Sequence, residues 1–407
     1  MACCATTQAA GLPDPEMARA ALWASPGVEM ARAELDAQAY SSRALSRGQG
    51  EWTLSGDLAQ RRVESLPDAP FTEWGASIMR PVRLPARANA DRKLADASLD
   101  LARASLGEAL HEAGRELLRL WFDWQGAQTE QLGWAAQRTL AEQQRASVEK
   151  RIRLGESARS EGIAMDALLA QTQLQADIAA QRNARTRNQL QAAFPALVLP
   201  PDAPLPRPEA MPGEARDWIE KTLAHNHELA RARAEAQVRS QTVLQLASRR
   251  HPDPSVGLFY KNEAGNREHV IGVNLGFTLP GATRSLDEAA AQRRADAASH
   301  AAMRLEKRLI AEVQLNYLEA SNAYLIWQQA DTATRTQETA ARLAARAFEL
   351  GEGDLASVMS SRRLAIESRL AETAQRRNAH AARARLELDA HTLWPLDVDT
   401  DEHHPHP

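Results

Sequence analysis

The stretch His269-Val-Ile-Gly-Val-Asn-Leu-Gly-Phe-Thr-Leu279 decides the fold. Ile271, Val273, Leu275, Phe277 and Leu279 fall on one face of an extended chain. Gly272, Asn274, Gly276 and Thr278 fall on the other, and this period of two is the signature of a strand. One apolar face backed by small polar residues suits a wall between lipid and water. The antiparallel partner is Ser255–Lys261, with Val256, Leu258 and Tyr260 on one face, and Asn262-Glu-Ala-Gly-Asn266 supplies the turn. A weaker echo lies earlier in the chain. Trp52, Leu54, Gly56 and Leu58 alternate with Thr53, Ser55, Asp57 and Ala59; after a loop around Pro67–Pro70, Trp74, Ala76 and Ile78 alternate with Gly75, Ser77 and Met79. Trp52, Phe71, Trp74, Phe259 and Tyr260 sit near segment ends, as interfacial girdles require. Four strands cannot close a sheet, and open edges are untenable in lipid. Two readings are therefore open: a small water-soluble β-module capping a coiled coil, or strands pooled from several copies into one barrel. The sequence offers no obvious layer to cover such a sheet, which weighs against the first.

Outward from the strands, proline organises the chain. None occurs between Pro85 and Pro195, and none between Pro280 and Pro395. Proline breaks helix interiors, so both windows are free to be long helices, and both are rich in Ala, Leu, Glu, Gln and Arg. The spacing predicts one helix from about 86 to 154, roughly 100 Å long, which no compact globular domain needs. Leu117, Leu118, Trp121, Phe122 and Trp124 form one expected packing stripe, and Leu315, Leu318, Tyr324, Leu325 and Trp327 another. Such helices are stable only laterally, against neighbours. Gly155 and Gly351 end one long helix each. Asp354 can cap the helix beginning at Leu355. The first tip, Gly155-Glu-Ser-Ala-Arg-Ser-Glu-Gly162, reads as longer than the second.

The halves repeat. Ala31-Arg-Ala-Glu34 recurs as Ala232-Arg-Ala-Glu235, Leu84-Pro85 as Leu279-Pro280, Leu154-Gly-Glu156 as Leu350-Gly-Glu352, and Phe194-Pro195 as Trp394-Pro395. Four anchors in one order at nearly constant offset argue for an internal duplication. The expected organisation is a tail at 1–12, a first repeat at 13–195, a Pro-rich linker at 196–211, a second repeat at 212–396 and a His-rich tail at 397–407. Each repeat opens with one helix (about 15–47 and 212–248), followed by two strands and a long helical region broken near its middle.

Bulk properties exclude more than they assign. Of 407 residues 25% are charged, and the formal net charge of −4 gives no argument for nucleic acid. Mean hydropathy is −0.46. No run approaches the roughly 18 apolar residues of a transmembrane helix, although barrel strands escape such averages. The two cysteines, Cys3 and Cys4, allow no internal disulfide network. The opening Met-Ala-Cys-Cys-Ala-Thr-Thr carries neither the basic nor the apolar region of a secretory signal. Cys3 or Cys4 reads either as the lipidated residue of a lipoprotein whose start lies upstream, or as an incidental pair. His403, His404 and His406, beside Asp401 and Glu402, form a tail able to hold a divalent ion; an adventitious terminus is the plainer reading. No phosphate-cradling Gly loop, HExxH or cysteine ligand spacing occurs, so neither catalysis nor a cofactor is expected.

Several strings now resemble the outer-membrane efflux proteins of the TolC type. They are Pro26-Gly-Val-Glu-Met-Ala-Arg-Ala-Glu34 and His227-Glu-Leu-Ala-Arg-Ala-Arg-Ala-Glu235 at the start of each repeat, Pro252-Asp-Pro254 before a strand, Leu275-Gly-Phe-Thr-Leu-Pro280 after one, and Phe348-Glu-Leu-Gly-Glu-Gly-Asp354 at a hairpin tip. The last, with Gly276–Arg284, is most similar to the cobalt-zinc-cadmium branch that serves resistance-nodulation-division (RND) exporters. The resemblance covers about residues 13–396. It implies a mainly α chain with a small β part and two repeats. It implies a homotrimer in which four strands per subunit make a twelve-stranded transmembrane β-barrel and the helices make a coiled-coil tunnel across the periplasm. The tips would dock a periplasmic adaptor that leads to an inner-membrane RND pump, and the duct would be passive. Ile271, Val273, Leu275 and Phe277 would face lipid. The aperture and docking residues would be Gly155, Glu156, Asp166, Gly351, Glu352, Gly353, Asp354, Ser357 and Ser360. The family's acidic aperture ring would fall at Ser357 and Ser360, which are not acidic; Asp354 and Asp166 are the substitutes.

Overall fold

The computed structural model describes residues 11–48, 50–63, 66–200, 205–279, 281–394 and 396. Among them the order is α1 (Pro15–Trp23), α2 (Pro26–Arg47), β1 (Thr53–Val63), β2 (Leu66–Pro81), α3 (Pro85–Arg153) and α4 (Arg159–Ala193), then α5 (Ala215–His225), α6 (His227–Ser248), β3 (Ser255–Glu263), β4 (Glu268–Gly276), α7 (Thr283–Glu349) and α8 (Leu355–Asp389). Helix, helix, strand, strand, helix, helix thus occurs twice. The chain is mainly helical with one small sheet. Cys3, Cys4, His403, His404 and His406 lie outside the described residues.

The first proline-free window holds α3, of 69 residues, and α4, of 35; the second holds α7, of 67, and α8, of 35. The opening helix of each half is, however, broken in two. Asp14 caps α1, its side chain accepting from Glu16 N at 3.0 Å. The chain leaves helix at Ala24 and re-enters at Pro26, whose missing N–H is costless at a first helical position. In the second half Asn226 is extended (φ −68°, ψ 113°) and separates α5 from α6.

Two compact units are present. One gathers the segment ending at Met30, Gly107–Asn226 and the chain from Lys307 onward; the other gathers Ala31–Leu106 and His227–Glu306. Each draws on both halves of the sequence.

The first unit holds the larger core. Leu110, Leu117, Leu118, Trp121, Phe122 and Trp124 of α3 are buried, as their spacing predicts. Trp121 Nε1 and Gln125 Nε2 both donate to the Gly11 carbonyl, at 2.7 and 2.8 Å. Trp218, Val313, Leu386 and Ala390 form a second cluster. The stripe expected on α7 is corrected in part: Trp327 is buried as expected and Tyr324 is half-buried, but Leu315, Leu318 and Leu325 are more than half exposed, while Leu309, Val313 and Ala320 are buried. The helix packs a different set of apolar residues, with Trp327, against its own chain and leaves the three expected leucines uncovered.

In the second unit small residues let helices approach. Ala95, Ala291 and Ala302 are buried, and Ser42 Oγ donates to Ala95 O at 2.9 Å. The same unit carries one antiparallel sheet in the order β1-β2-β3-β4. Two strand boundaries differ from expectation. The predicted loop at Pro67–Pro70 is part of β2: pairing runs Arg61 with Phe71 and then Val63 with Leu66, so both prolines fall in a bulged stretch where their missing N–H groups break no ladder. β4 stops at Gly276, opposite Ser255, the first residue of β3, so Phe277 and Leu279 lie beyond the ladder.

Candidate functional site

The sheet presents one apolar face. Register places Leu54, Ile78, Leu258 and Val273 in a single row across the four strands. Arg80, Val256 and Leu275 form the next row toward the helices. Gly56, Ala76, Tyr260 and Ile271, then Leu58, Trp74, Asn262 and His269, form the rows toward the β3–β4 turn. The four segments read separately in the sequence therefore share one side. Leu54 and Ile271 are each 78% exposed, Val273 61% and Leu275 65%; Phe277, past the strand end, is 69% exposed. The opposite face carries rows such as Ser55, Ser77, Phe259 and Gly272. Gly272 makes room for the Phe259 ring there: a Cβ would stand 2.4 Å from it, and the ring would have to move.

Aromatic groups cluster toward the β3–β4 turn. The rings of Trp74 and Tyr260 lie 5.3 Å apart, and Tyr260 OH meets His269 Nδ1 at 2.8 Å. At the other end the Arg80 guanidinium sits 5.4 Å from the Trp52 ring. The outer edges of β1 and β4 have no partner strand among the described residues. An uncovered apolar face and two open edges together are costly in water and prone to pairing with another chain.

The first unit carries the two helical tips. Five residues, Leu154–Ala158, separate α3 from α4, and five, Leu350–Asp354, separate α7 from α8. The first tip is thus no longer than the second; Gly162 belongs to α4. Gly155 and Gly351 both sit at φ +77°. Glu156 N donates to Arg151 O at 2.8 Å and Gly155 N to Ile152 O at 3.1 Å; Glu352 N donates to Ala347 O at 2.9 Å and Gly351 N to Phe348 O at 3.1 Å. Both are Schellman turns closed by a left-handed glycine.

The side chains differ. Asp354 caps α8, accepting from Ser357 N at 2.6 Å and from Ser357 Oγ at 3.2 Å. The Ser357 N–H, helped by its hydroxyl, holds the Asp354 carboxyl below the usual carboxylate range. Ala158 caps α4 without any side-chain bond. Asp166 is engaged by Arg145 of α3 at 2.7 Å, and that contact raises the arginine's pKa. Asp166 and Asp354 therefore each have a local partner. Glu156, Glu352, Gly353, Ser357 and Ser360 are exposed. The ends of α3 and α7 meet where the Arg151 guanidinium lies 4.5 Å from the Phe348 ring. Behind the second tip, burial lowers the pKa of Arg362 against the pull of Glu349, and its Nη1 is buried without a hydrogen-bond partner.

Sequence reasoning missed Arg362, and it missed an arginine-rich cavity at the helix end of the sheet. The signal for the second was present: Arg80, Arg83, Arg87, Arg249, Arg250 and Arg284 all flank strand ends. Among the described residues no cluster of three or more His, Cys, Asp or Glu could hold a metal ion. No described helix is long and apolar enough to cross a membrane.

No protein-family model matches the chain, and no curated protein matches it. Solved structures do. The Campylobacter jejuni CmeC outer membrane channel is 11% identical, with a TM-score of 0.76 over 94% of this chain and 86% of its own. The outer membrane protein VceC of Vibrio cholerae is 15% identical, with a TM-score of 0.71 over 93% and 94%. The Neisseria gonorrhoeae MtrE outer membrane channel, solved in its open state, is 15% identical, with a TM-score of 0.67 over 95% and 90%. This chain has the fold of those channels.

Proposed function

From a chain with the fold of outer-membrane channels, we propose that this protein is one subunit of an outer-membrane efflux duct of the TolC type, working passively in a tripartite RND system. The carrying observation is the four-stranded sheet with its exposed apolar rows and two open edges. Lipid covers such a face, and only strands from further copies satisfy the edges there. The complete duct is a homotrimer. The exposed leucines of α7 pack against a neighbouring copy, and the long helices, the product of an internal duplication, line a tunnel through the periplasm. The tips at Gly155–Glu156 and Gly351–Asp354 dock a periplasmic adaptor, which joins the duct to its inner-membrane pump. Asp166, Asp354, Ser357 and Ser360 lie near the aperture. No step of catalysis belongs to the chain.

The cargo we infer is a heavy-metal cation, on the resemblance of Phe348-Glu-Leu-Gly-Glu-Gly-Asp354 to the metal-exporting branch. An organic-solute duct of the same build is the competing reading, and deletion of the gene separates them. Lost tolerance to Zn, Co, Cd, Cu or Ag ions supports the metal cargo; unchanged tolerance to all five with lost tolerance to organic drugs removes it. For the duct itself, the protein should leave the membrane only with detergent and should run as a trimer in it. A monomer in mild detergent, or a protein free in plain buffer, sinks the proposal.

A further inference from the structure

A cavity of about 850 Å³ lies within the second unit, where the strand ends at Pro81 and Ser255, and Thr278 just past β4, meet α2, α3, α6 and α7. Four arginines line it. Two are committed to the fold. Arg83 reaches Asp91 at 2.5 Å and the carbonyls of Ser46 and Leu45 at 2.8 and 3.1 Å. Arg87 bridges Asp253 at 2.7 Å, and the other oxygen of Asp253 accepts from Leu84 N at 2.9 Å. Asp91, only 5% exposed, takes a further bond from Gln245 Nε2 at 2.7 Å. These pairs make a neutral, braced wall.

Arg249 and Arg284 are different. Neither is paired with a carboxylate among the described residues. Arg284 Nη1 donates to the main-chain carbonyl of Arg249 at 2.5 Å, which holds the two positions together, and Arg249 itself has only a long contact of 3.4 Å to Gln245. Arg250, by contrast, already meets Glu288 through two bonds of 2.8 and 2.9 Å. Asp287 is the one other charged lining residue, so four arginines face three aspartates and one positive charge is left over. The rim is apolar. Phe277 and Leu279, either side of the lining Thr278, are 69% and 88% exposed, and Val82, beside Arg83, is 48% exposed.

We propose that this cavity binds the phosphodiester headgroup of a membrane lipid, with Arg249 and Arg284 on the phosphate and Val82, Phe277 and Leu279 against the start of the acyl chains. The planar guanidinium matches phosphate oxygens with paired donors and sheds water readily. One excess positive charge suits a phosphodiester, which carries one negative charge. The proposal rests on the sheet lying in lipid, since that places its helix-side strand ends at headgroup depth.

The test uses the full chain purified in an uncharged maltoside detergent. Calorimetric titration is run with dihexanoyl phosphatidylglycerol, with uncharged dihexanoylglycerol and with inorganic phosphate. Saturable binding of the phospholipid, stronger than either other probe, is the expected result. Arg249→Gln with Arg284→Gln should weaken it about tenfold or more. Arg249→Lys with Arg284→Lys, which keeps charge and removes the fork, should fall between. Arg250→Gln with Glu288→Gln, a pair already matched, should bind as wild type, and equal loss there overturns the assignment. Unchanged affinity in the glutamine pair also overturns it. Equal binding of inorganic phosphate overturns the lipid in favour of a free anion, and equal binding of dihexanoylglycerol removes the headgroup. A chain that leaves the membrane in plain buffer fails earlier, at the premise, and is told apart by fractionation.

Discussion

The hairpins α3–α4 and α7–α8 end in the same turn and are held together by different chemistry. Each turns over in five residues, with glycine at φ +77° and matching main-chain bonds. Setting Gly155 on Gly351 places Gln131 at the position of Trp327, Ala176 at that of Glu372 and Ala180 at that of Arg376. In α7–α8 these three form a buried node: Trp327 Nε1 donates to Glu372 Oε1 at 2.8 Å, and Arg376 reaches the same carboxylate at 2.7 Å. In α3–α4 Ala176 and Ala179 are buried instead, and the ties are Asn183 to Gln131 at 2.5 Å and Arg182 to Glu130 at 3.0 Å. A turn is a local matter of one left-handed residue, so it survives repetition. A helix interior answers to every neighbour, so it diverges.

The largest test of that difference is Glu372→Ala. Glu372 is 1% exposed, and its removal leaves an indole N–H without its acceptor and the Arg376 guanidinium with the Leu205 carbonyl but no counter-charge, at a cost of about 3 kcal/mol. The denaturation midpoint of the detergent-solubilised protein reports it. Glu372→Met with Arg376→Leu should recover most of the loss, because no unpaired charge then remains. A loss from Glu372→Ala no greater than that of an exposed site would show the node to be hydrated, and the contrast between hairpins would shrink to packing alone.

The likeness of the turns is tested by Gly155→Ala and Gly351→Ala. A Cβ at either position meets nothing within 4 Å. The cost is therefore conformational, about 1 kcal/mol in each. Unequal losses would mean that the turns only look alike.

These two cases mark what could be read from the sequence. Proline absence showed where α3 and α7 could run, because proline is nearly decisive against helix interiors, and with Gly155 as its end α3 was placed to within a residue. Period-two alternation found β4 and its face, and the register then joined Leu54, Ile78, Leu258 and Val273, which no local pattern relates. The strand through Pro67 and Pro70 was hidden because a bulge excuses a proline that a regular ladder forbids. The break at Asn226 carries no proline to announce it. Leu315, Leu318 and Leu325 have helical spacing, but spacing does not say whether the covering neighbour belongs to the same chain. Arg249 and Arg284 lie 35 residues apart across a hairpin, so only the fold brings them to one cavity.

A smaller effect separates the two caps. Asp354→Ala should destabilise α8 by less than the glycine replacements, and Ala158→Asp should stabilise α4, since Ala158 already has extended cap geometry (φ −73°, ψ 147°) and lacks only the acceptor. The Asp354 carboxyl has its pKa lowered by Ser357. Its contribution is thus full above the ordinary carboxylate pKa of about 3.9 and is lost as pH falls through the lower folded value. Wild type and Asp354→Ala should converge in thermal scans at strongly acid pH. A gap that persists there would assign the effect to something other than the cap.

The smallest effect concerns a tie that only the second hairpin has. His380 of α8 donates from Nε2 to Pro206 O at 2.9 Å, where α4 carries Ala184. Burial lowers the His380 pKa; the Pro206 bond opposes this, and the nearby Arg383 and Arg376 add to it. The folded protein therefore binds this proton less readily than the unfolded chain. The stability it contributes is full above the ordinary histidine pKa of about 6.5 and is lost as pH falls toward the folded value. Asp389 acts in the opposite sense: burial raises its carboxyl pKa despite Arg115, so its contribution improves as pH falls through that raised value. Wild type reports both at once, and His380→Gln, which keeps a donor and removes the titration, separates them. Between pH 7.5 and 5.5 the variant's melting temperature should fall less than that of wild type. An identical fall in both would take the acid sensitivity away from His380 and leave the buried node at Glu372 as what distinguishes this hairpin's interior from that of α3–α4.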